Sequence, residues 1–186
     1  MMLLRQLPNL ICVARIVLIW PIVAALRGAS YETAMVLFAA AGVSDGLDGF
    51  LAKRFGWTSE LGKVLDPAAD KLLLVVVFVS ATWLGLAPRW LTAAVVARDV
   101  LIVLGALVFR VGFGPLRGRP TILSKVNTAV QLAYLLAMMV AAGFSVPGPA
   151  LLRALAVVAL ATTVISGADY MVSFTRRALA VPARSA

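Results

Sequence analysis

The chain contains no histidine and a single cysteine, Cys12. Without histidine there is no Ser-His-Asp triad, no HExxH zinc site and no imidazole base. One cysteine supports neither an internal disulfide nor a thiolate metal cluster, and Cys12 reads as a small apolar helix residue. Charge is also scarce: 13% of the 186 residues are charged, about half the share of a soluble globular domain. Acidic residues are the scarcest, 8 against 17 lysines and arginines. Catalysis is left with carboxylate, lysine, arginine and hydroxyl chemistry.

Apolar residues fill the space. They make up 62% of the chain, with a mean hydropathy of +1.01. A soluble fold of this length cannot hide that much apolar surface, so a bilayer is the expected solvent. Six apolar segments run from Pro8 to Leu26, Tyr31 to Ala52, Leu65 to Leu86, Trp90 to Phe113, Ile122 to Phe144 and Leu151 to Phe174. Each is near the roughly 20 residues that a spanning helix needs. Glycine, proline and arginine punctuate the links between them. The pattern predicts a single all-α integral membrane domain over residues 1–186. Its six transmembrane helices form a bundle with a polar cavity open to the cytoplasmic side.

With six spans, both termini and the even-numbered loops share one side. That side holds Arg5, Lys53, Arg54, Lys63, Arg110, Arg117, Arg119, Arg176, Arg177 and Arg184, whereas the other holds Arg27, Arg89 and Arg153. The positive-inside rule makes the richer face cytoplasmic. The net charge of +9 therefore reads as topology and anionic-lipid contact, with no nucleic-acid partner expected. Arg15 interrupts the first apolar stretch, which argues against a cleaved signal peptide. No Ser- and Arg-rich leader precedes it, so the expected location is a bacterial inner membrane rather than an organelle.

Against this background, four aspartates lie between positions 45 and 70, as Asp45-Gly46-Leu47-Asp48-Gly49 and Asp66-Pro67-Ala68-Ala69-Asp70. Spacings of i, i+3 and i, i+4 put each pair on one helix face. Counting from Arg54, Asp48 and Asp45 lie about 9 and 13 Å into the second span; counting from Lys63, Asp66 and Asp70 lie about 5 and 10 Å into the third. A single charge at the centre of a spanning helix costs about 3 kcal/mol on insertion scales, and clustered carboxylates also repel one another. One or two divalent cations are the simplest remedy. An all-oxygen donor set selects a hard ion, Mg²⁺, Mn²⁺ or Ca²⁺. Two metals over paired carboxylates form a recurring phosphoryl-transfer device. Gly42, Gly46 and Gly49 make a small-residue stripe beside the cluster, and Lys53, Arg54 and Lys63 sit at its mouth, placed to meet anionic oxygens. Ser59 either donates to a phosphate or caps the next helix.

The run Asp45-x2-Asp48-Gly49-x2-Ala52-Lys53, eight residues, Gly62-x3-Asp66-x3-Asp70 resembles the signature of the CDP-alcohol phosphatidyltransferases. Its one departure is Lys53, where the family pattern has arginine; Arg54 follows directly. The resemblance implies a CDP-linked lipid donor, CDP-diacylglycerol, attacked at its β-phosphorus by an acceptor hydroxyl with release of CMP. It implies two ions per site, Mg²⁺ or Mn²⁺, with Asp45 and Asp66 bridging both, Asp48 on the first and Asp70 on the second. Asp70 would also be the catalytic base. Gly49, Lys53 or Arg54, and Ser59 would hold the CDP moiety.

Pro8-Asn9 with Arg15, Ala97-Arg98-Asp99, and the run from Ser124 to Gln131 extend the likeness, the last two toward the eukaryotic-type cardiolipin synthase branch. The implied acceptor is phosphatidylglycerol and the product cardiolipin; glycerol 3-phosphate, giving phosphatidylglycerophosphate, is the alternative. A homodimer is implied as well. Intramembrane cations are functional by default, so Arg98, Arg110 and Lys125 are the candidates for the acceptor's phosphate. The plainer alternatives are an Arg98 pair with Asp169 and snorkelling for the other two. Outside this class stand a divalent-cation transporter and a scaffold without catalysis. The transporter reading lacks a matching acidic set in the other half of the chain, and the scaffold reading must explain four intact aspartates.

Overall fold

The structure is a computed structural model that describes the backbone of residues 7–55, 62–113 and 121–180, with side chains over 12–44, 69–108 and 121–176. Those residues form six helices: α1 Leu7–Arg27, α2 Tyr31–Phe55, α3 Gly62–Trp83, α4 Arg89–Phe113, α5 Ile122–Phe144 and α6 Pro149–Ala180. Each of the six apolar segments is one helix, and α6 continues past its segment into the basic run at Arg176-Arg177. Among the described residues, three stretches are long and apolar enough to cross a membrane: Arg89–Val108, Ile122–Phe144 and Pro149–Arg176. A shorter apolar stretch, Tyr31–Ser44, ends where the aspartates of α2 begin.

Local chemistry sets the ends of these helices. Thr121 caps α5, its side chain accepting from the Ser124 amide at 3.3 Å. At the end of α3, Gly85 takes φ +75°, and the Leu86 amide reaches back to the Ala81 carbonyl at 2.8 Å. This is a Schellman closure that favours glycine.

Packing divides the bundle into two halves. α1 lies against α2 and α3, and α6 lies against α4 and α5; contacts of α2 with α5, and of α3 with α4 and α5, join them. One end is a closed apolar core built from Ile22, Phe38, Val77, Phe78, Leu135 and Met138. Phe78 and Tyr134 stack there with ring centroids 6.0 Å apart and planes 8° from parallel. Toward the other end, where α1, α3 and α5 begin, the interior turns polar. Asn127 and Gln131 are buried on α5 and face α6: the Thr162 and Thr163 hydroxyls donate to Asn127 Oδ1 at 3.0 and 2.9 Å, and Gln131 Nε2 donates to Thr163 Oγ1 at 3.0 Å. Helix association in lipid draws on such packing and interhelical hydrogen bonds. Truncation in the closed core is therefore expected to be costly: Phe78→Ala should destabilise by about 3 kcal/mol, whereas exposed Val103→Ala should stay within about 0.5 kcal/mol. Thermal unfolding of the two variants in detergent checks this contrast.

Candidate active site

An open cleft of about 410 Å³ lies at the polar end. Four helices build it. α1 contributes Arg15, α2 contributes Ala41 and Gly42, α3 contributes Asp70, Lys71, Leu73 and Leu74, and α5 contributes Ser124, Lys125, Thr128, Ala129 and Leu132. Most of the surface that lines it is apolar, and the charges cluster toward the starts of α3 and α5. Gly42 lets α5 approach: a Cβ there would stand 3.3 Å from Leu132 Cδ2. Asp45 follows Gly42 by less than one turn of α2.

Asp70 sits at the cleft with its side chain 32% exposed, in an ion pair with Arg15, whose side chain is only 2% exposed. A guanidinium this deep in an apolar bundle needs a charged partner, and α1 presents it to the last aspartate of the α3 pair. Lys71, the next residue, turns toward α4 and pairs with Asp99. Lys125 is exposed on the cleft wall in the first turn of α5, where the helix dipole also favours an anion. Among the described residues the cleft therefore presents Arg15, Lys71 and Lys125 around one carboxylate.

Arg98 does not line the cleft. Only 4% exposed, it reaches Asp99 Oδ1 with Nη1 at 2.6 Å and gives Nη2 to the Ser124 and Ser166 hydroxyls at 2.8 and 2.7 Å. Its guanidinium carbon lies 5.6 Å from the Tyr170 ring centroid. Asp169 is not the partner used: Arg98 pairs with its own neighbour, and Asp169 Oδ2 is buried without a hydrogen-bond partner among the described residues. Arg98 thus braces α4 against α5 and α6, and one of the groups it holds, Ser124, faces the cleft.

The aspartates Asp45 and Asp48 lie on α2, and Asp66 and Asp70 on α3. Asp45, Asp48, Gly49, Lys53, Arg54, Asp66 and Arg110 are described in backbone alone, and the whole of Ser59 falls outside the described residues. Among the described side chains no three acidic, histidine or cysteine residues gather. The donor chemistry nonetheless fits a hard divalent cation, because α2 and α3 both flank the cleft and the signature offers carboxylate oxygen alone. Sequence reasoning missed Lys71 and Ser124 as cleft groups. The signal available was their place beside Asp70 and Lys125.

The model of the CDP-alcohol phosphatidyltransferase family matches residues 5–167. The chain belongs to that family. It is 34% identical over 182 residues to proteins of Rattus norvegicus and Homo sapiens named cardiolipin synthase (CMP-forming), covering 88% of this chain and 60% of each relative. It is 31% identical over 177 residues to a probable phosphatidylglycerophosphate synthase of Mycobacterium tuberculosis, covering 90% of this chain and 81% of that one. The chain thus spans about 60% of the length of its rat and human relatives. The match includes the aspartate run, the cleft and the Arg98 brace apart from Tyr170.

Arg98→Ala would leave Asp99 with Lys71 as its remaining ion-pair partner and should cost about 3 kcal/mol, the lower end for breaking a buried pair. Arg98→Lys should recover only part of this, since an ammonium cannot fork to two serines and stack on Tyr170. Thermal unfolding in detergent separates the two variants; equal midpoints for Arg98→Ala and the unsubstituted protein would contradict the brace.

Proposed function

We propose that the protein is a divalent-metal-dependent phosphatidyltransferase that joins CDP-diacylglycerol to phosphatidylglycerol, giving cardiolipin and CMP. The observation that carries this reading is Asp70 on the wall of a largely apolar cleft ringed by Arg15, Lys71 and Lys125. A carboxylate among cations, backed by apolar surface, suits phosphate esters carried on lipid tails. Asp70 takes the proton of the acceptor hydroxyl at its carboxylate. The acceptor oxygen bonds to the β-phosphorus of the donor, and the phosphoanhydride bond to CMP breaks. Gly49, Lys53, Arg54 and Ser59 hold the CDP moiety. Lys125 and Arg110 meet the acceptor's phosphate, and Arg98 acts through Ser124. Asp45, Asp48, Asp66 and Asp70 would hold Mg²⁺ or Mn²⁺, two per site, which offset the diphosphate charge and polarise the phosphorus.

In this reading residues 1–186 act as one domain whose six helices span a bacterial inner membrane. Both termini and the cleft face the cytoplasm, and two copies associate as a homodimer. The choice of phosphatidylglycerol is supported by the Ala97-Arg98-Asp99 and Ser124–Gln131 stretches and by the apolar lining. A second reading, with glycerol 3-phosphate as acceptor and phosphatidylglycerophosphate as product, is favoured by the mycobacterial relative, which the chain matches over 81% of its length.

Purified protein supplied with CDP-diacylglycerol and Mg²⁺ or Mn²⁺ distinguishes these readings when each acceptor is offered alone and the lipid product is weighed by mass spectrometry. Cardiolipin formed only with phosphatidylglycerol, and lost in Asp70→Asn, supports the first reading; phosphatidylglycerophosphate moves the assignment to the second. No CMP from either acceptor overturns both. Chelation by EDTA should abolish CMP release, and returning the metal should restore it.

A further inference from the structure

One carboxylate holds two parts of the cleft wall from behind. Asp99 on α4 is nearly buried, 8% exposed, and does not line the cleft. Its Oδ1 accepts from Lys71 Nζ and from Arg98 Nη1. Lys71 does line the cleft, on α3. Arg98 passes the constraint on, donating through Nη2 to Ser124 Oγ at 2.8 Å, and Ser124 lines the cleft from α5. A cation and a hydroxyl on two different helices are thus set by an anion that belongs to a third.

We propose that Asp99 is a positioning residue for the acceptor's phosphate, presenting Lys71 and, through Arg98, Ser124 to it as a preset pair of donors. The inference rests on the transferase reading above. A lysine ammonium on a four-carbon stem loses much rotamer freedom when it grips a ligand, and an ion pair formed beforehand has already removed that freedom. Asp99 does not cancel the attraction either. Lys71 and Arg98 are two cations against its one negative charge, so the cluster keeps a net positive charge for an incoming phosphate. Two donors fixed on different helices also demand a ligand of set size and place, which an unanchored lysine would not. A carboxylate that merely neutralised buried cations would serve stability alone and would leave acceptor affinity untouched.

The test uses the full chain in detergent with CDP-diacylglycerol and the divalent metal, measuring KM for donor and acceptor separately, kcat and the thermal midpoint. Phosphatidylglycerol and glycerol 3-phosphate are offered in parallel. Asp99→Asn and Lys71→Gln should each raise the acceptor KM about tenfold, the loss of one charged hydrogen bond, with donor KM held within about twofold. Asp99→Glu should restore part of the affinity, and the Asp99→Asn/Lys71→Gln pair should be no worse than Asp99→Asn alone, since the Lys71 contact is one of the two that Asp99 sets. A rise seen with phosphatidylglycerol marks the ligand as a phosphodiester headgroup, and one seen with glycerol 3-phosphate marks it as a monoester. If Asp99→Asn does not fold, Lys71→Gln still carries the test. An unchanged acceptor KM in Lys71→Gln overturns the proposal, as does a rise in donor KM instead, or an Asp99→Asn variant with a lower midpoint and an unaltered acceptor KM. Failure of the unsubstituted protein to release CMP overturns the transferase reading itself, and is seen before any variant is compared.

Discussion

Charge placed inside an apolar bundle must be matched inside it, and the polar half of this molecule is organised by that requirement. Arg15 meets Asp70, Lys71 meets Asp99, and Arg98 meets Asp99 together with two serine hydroxyls and an aromatic face. Every one of these pairings except Arg98 with its neighbour crosses between helices. The same contacts that neutralise the charges therefore also set where α1, α3, α4, α5 and α6 stand relative to one another. Neutralisation and architecture are one set of bonds.

The two ends of the bundle divide the work. At one end large side chains close the space, with Phe78 and Tyr134 stacked at its centre. At the other, small residues such as Ala41, Gly42 and Ala129 leave room, and the cleft opens between helices from both halves. A closed apolar end gives the open end a fixed frame, so the cleft's charged groups need not hold the fold together unaided. This arrangement suits a site for ligands that combine phosphate with long apolar chains.

Much of this was legible along the chain. The runs of apolar residues and their Gly, Pro and Arg punctuation located all six helices, because hydropathy and helix length are properties of contiguous residues. The aspartate spacing marked out α2 and α3 as the elements of interest, and the cleft lies where they and α5 converge. What could not be read was which cation meets which carboxylate. That depends on how each helix is rotated about its axis, which packing decides. Sequence offers Asp169 to Arg98, whereas in the fold Arg98 takes Asp99, one residue away, and meets α6 through Ser166 and Tyr170. Lys71 was hidden for the same reason. It follows Asp70 directly, yet a step of one residue swings it about 100° around α3, from Arg15 to Asp99.

In the proposed reading the aspartates of α2 and α3 and the cleft beside them form one metal-assisted site for a CDP-linked lipid. Crystals grown with CDP-diacylglycerol and Mn²⁺, with diffraction collected at the manganese edge, test it most directly. Anomalous peaks are expected between α2 and α3 within coordination distance of Asp70, with the donor's diphosphate beside them and its acyl chains along Leu73, Leu74 and Leu132. Manganese elsewhere in the bundle, or a nucleotide bound away from α2 and α3, would contradict it.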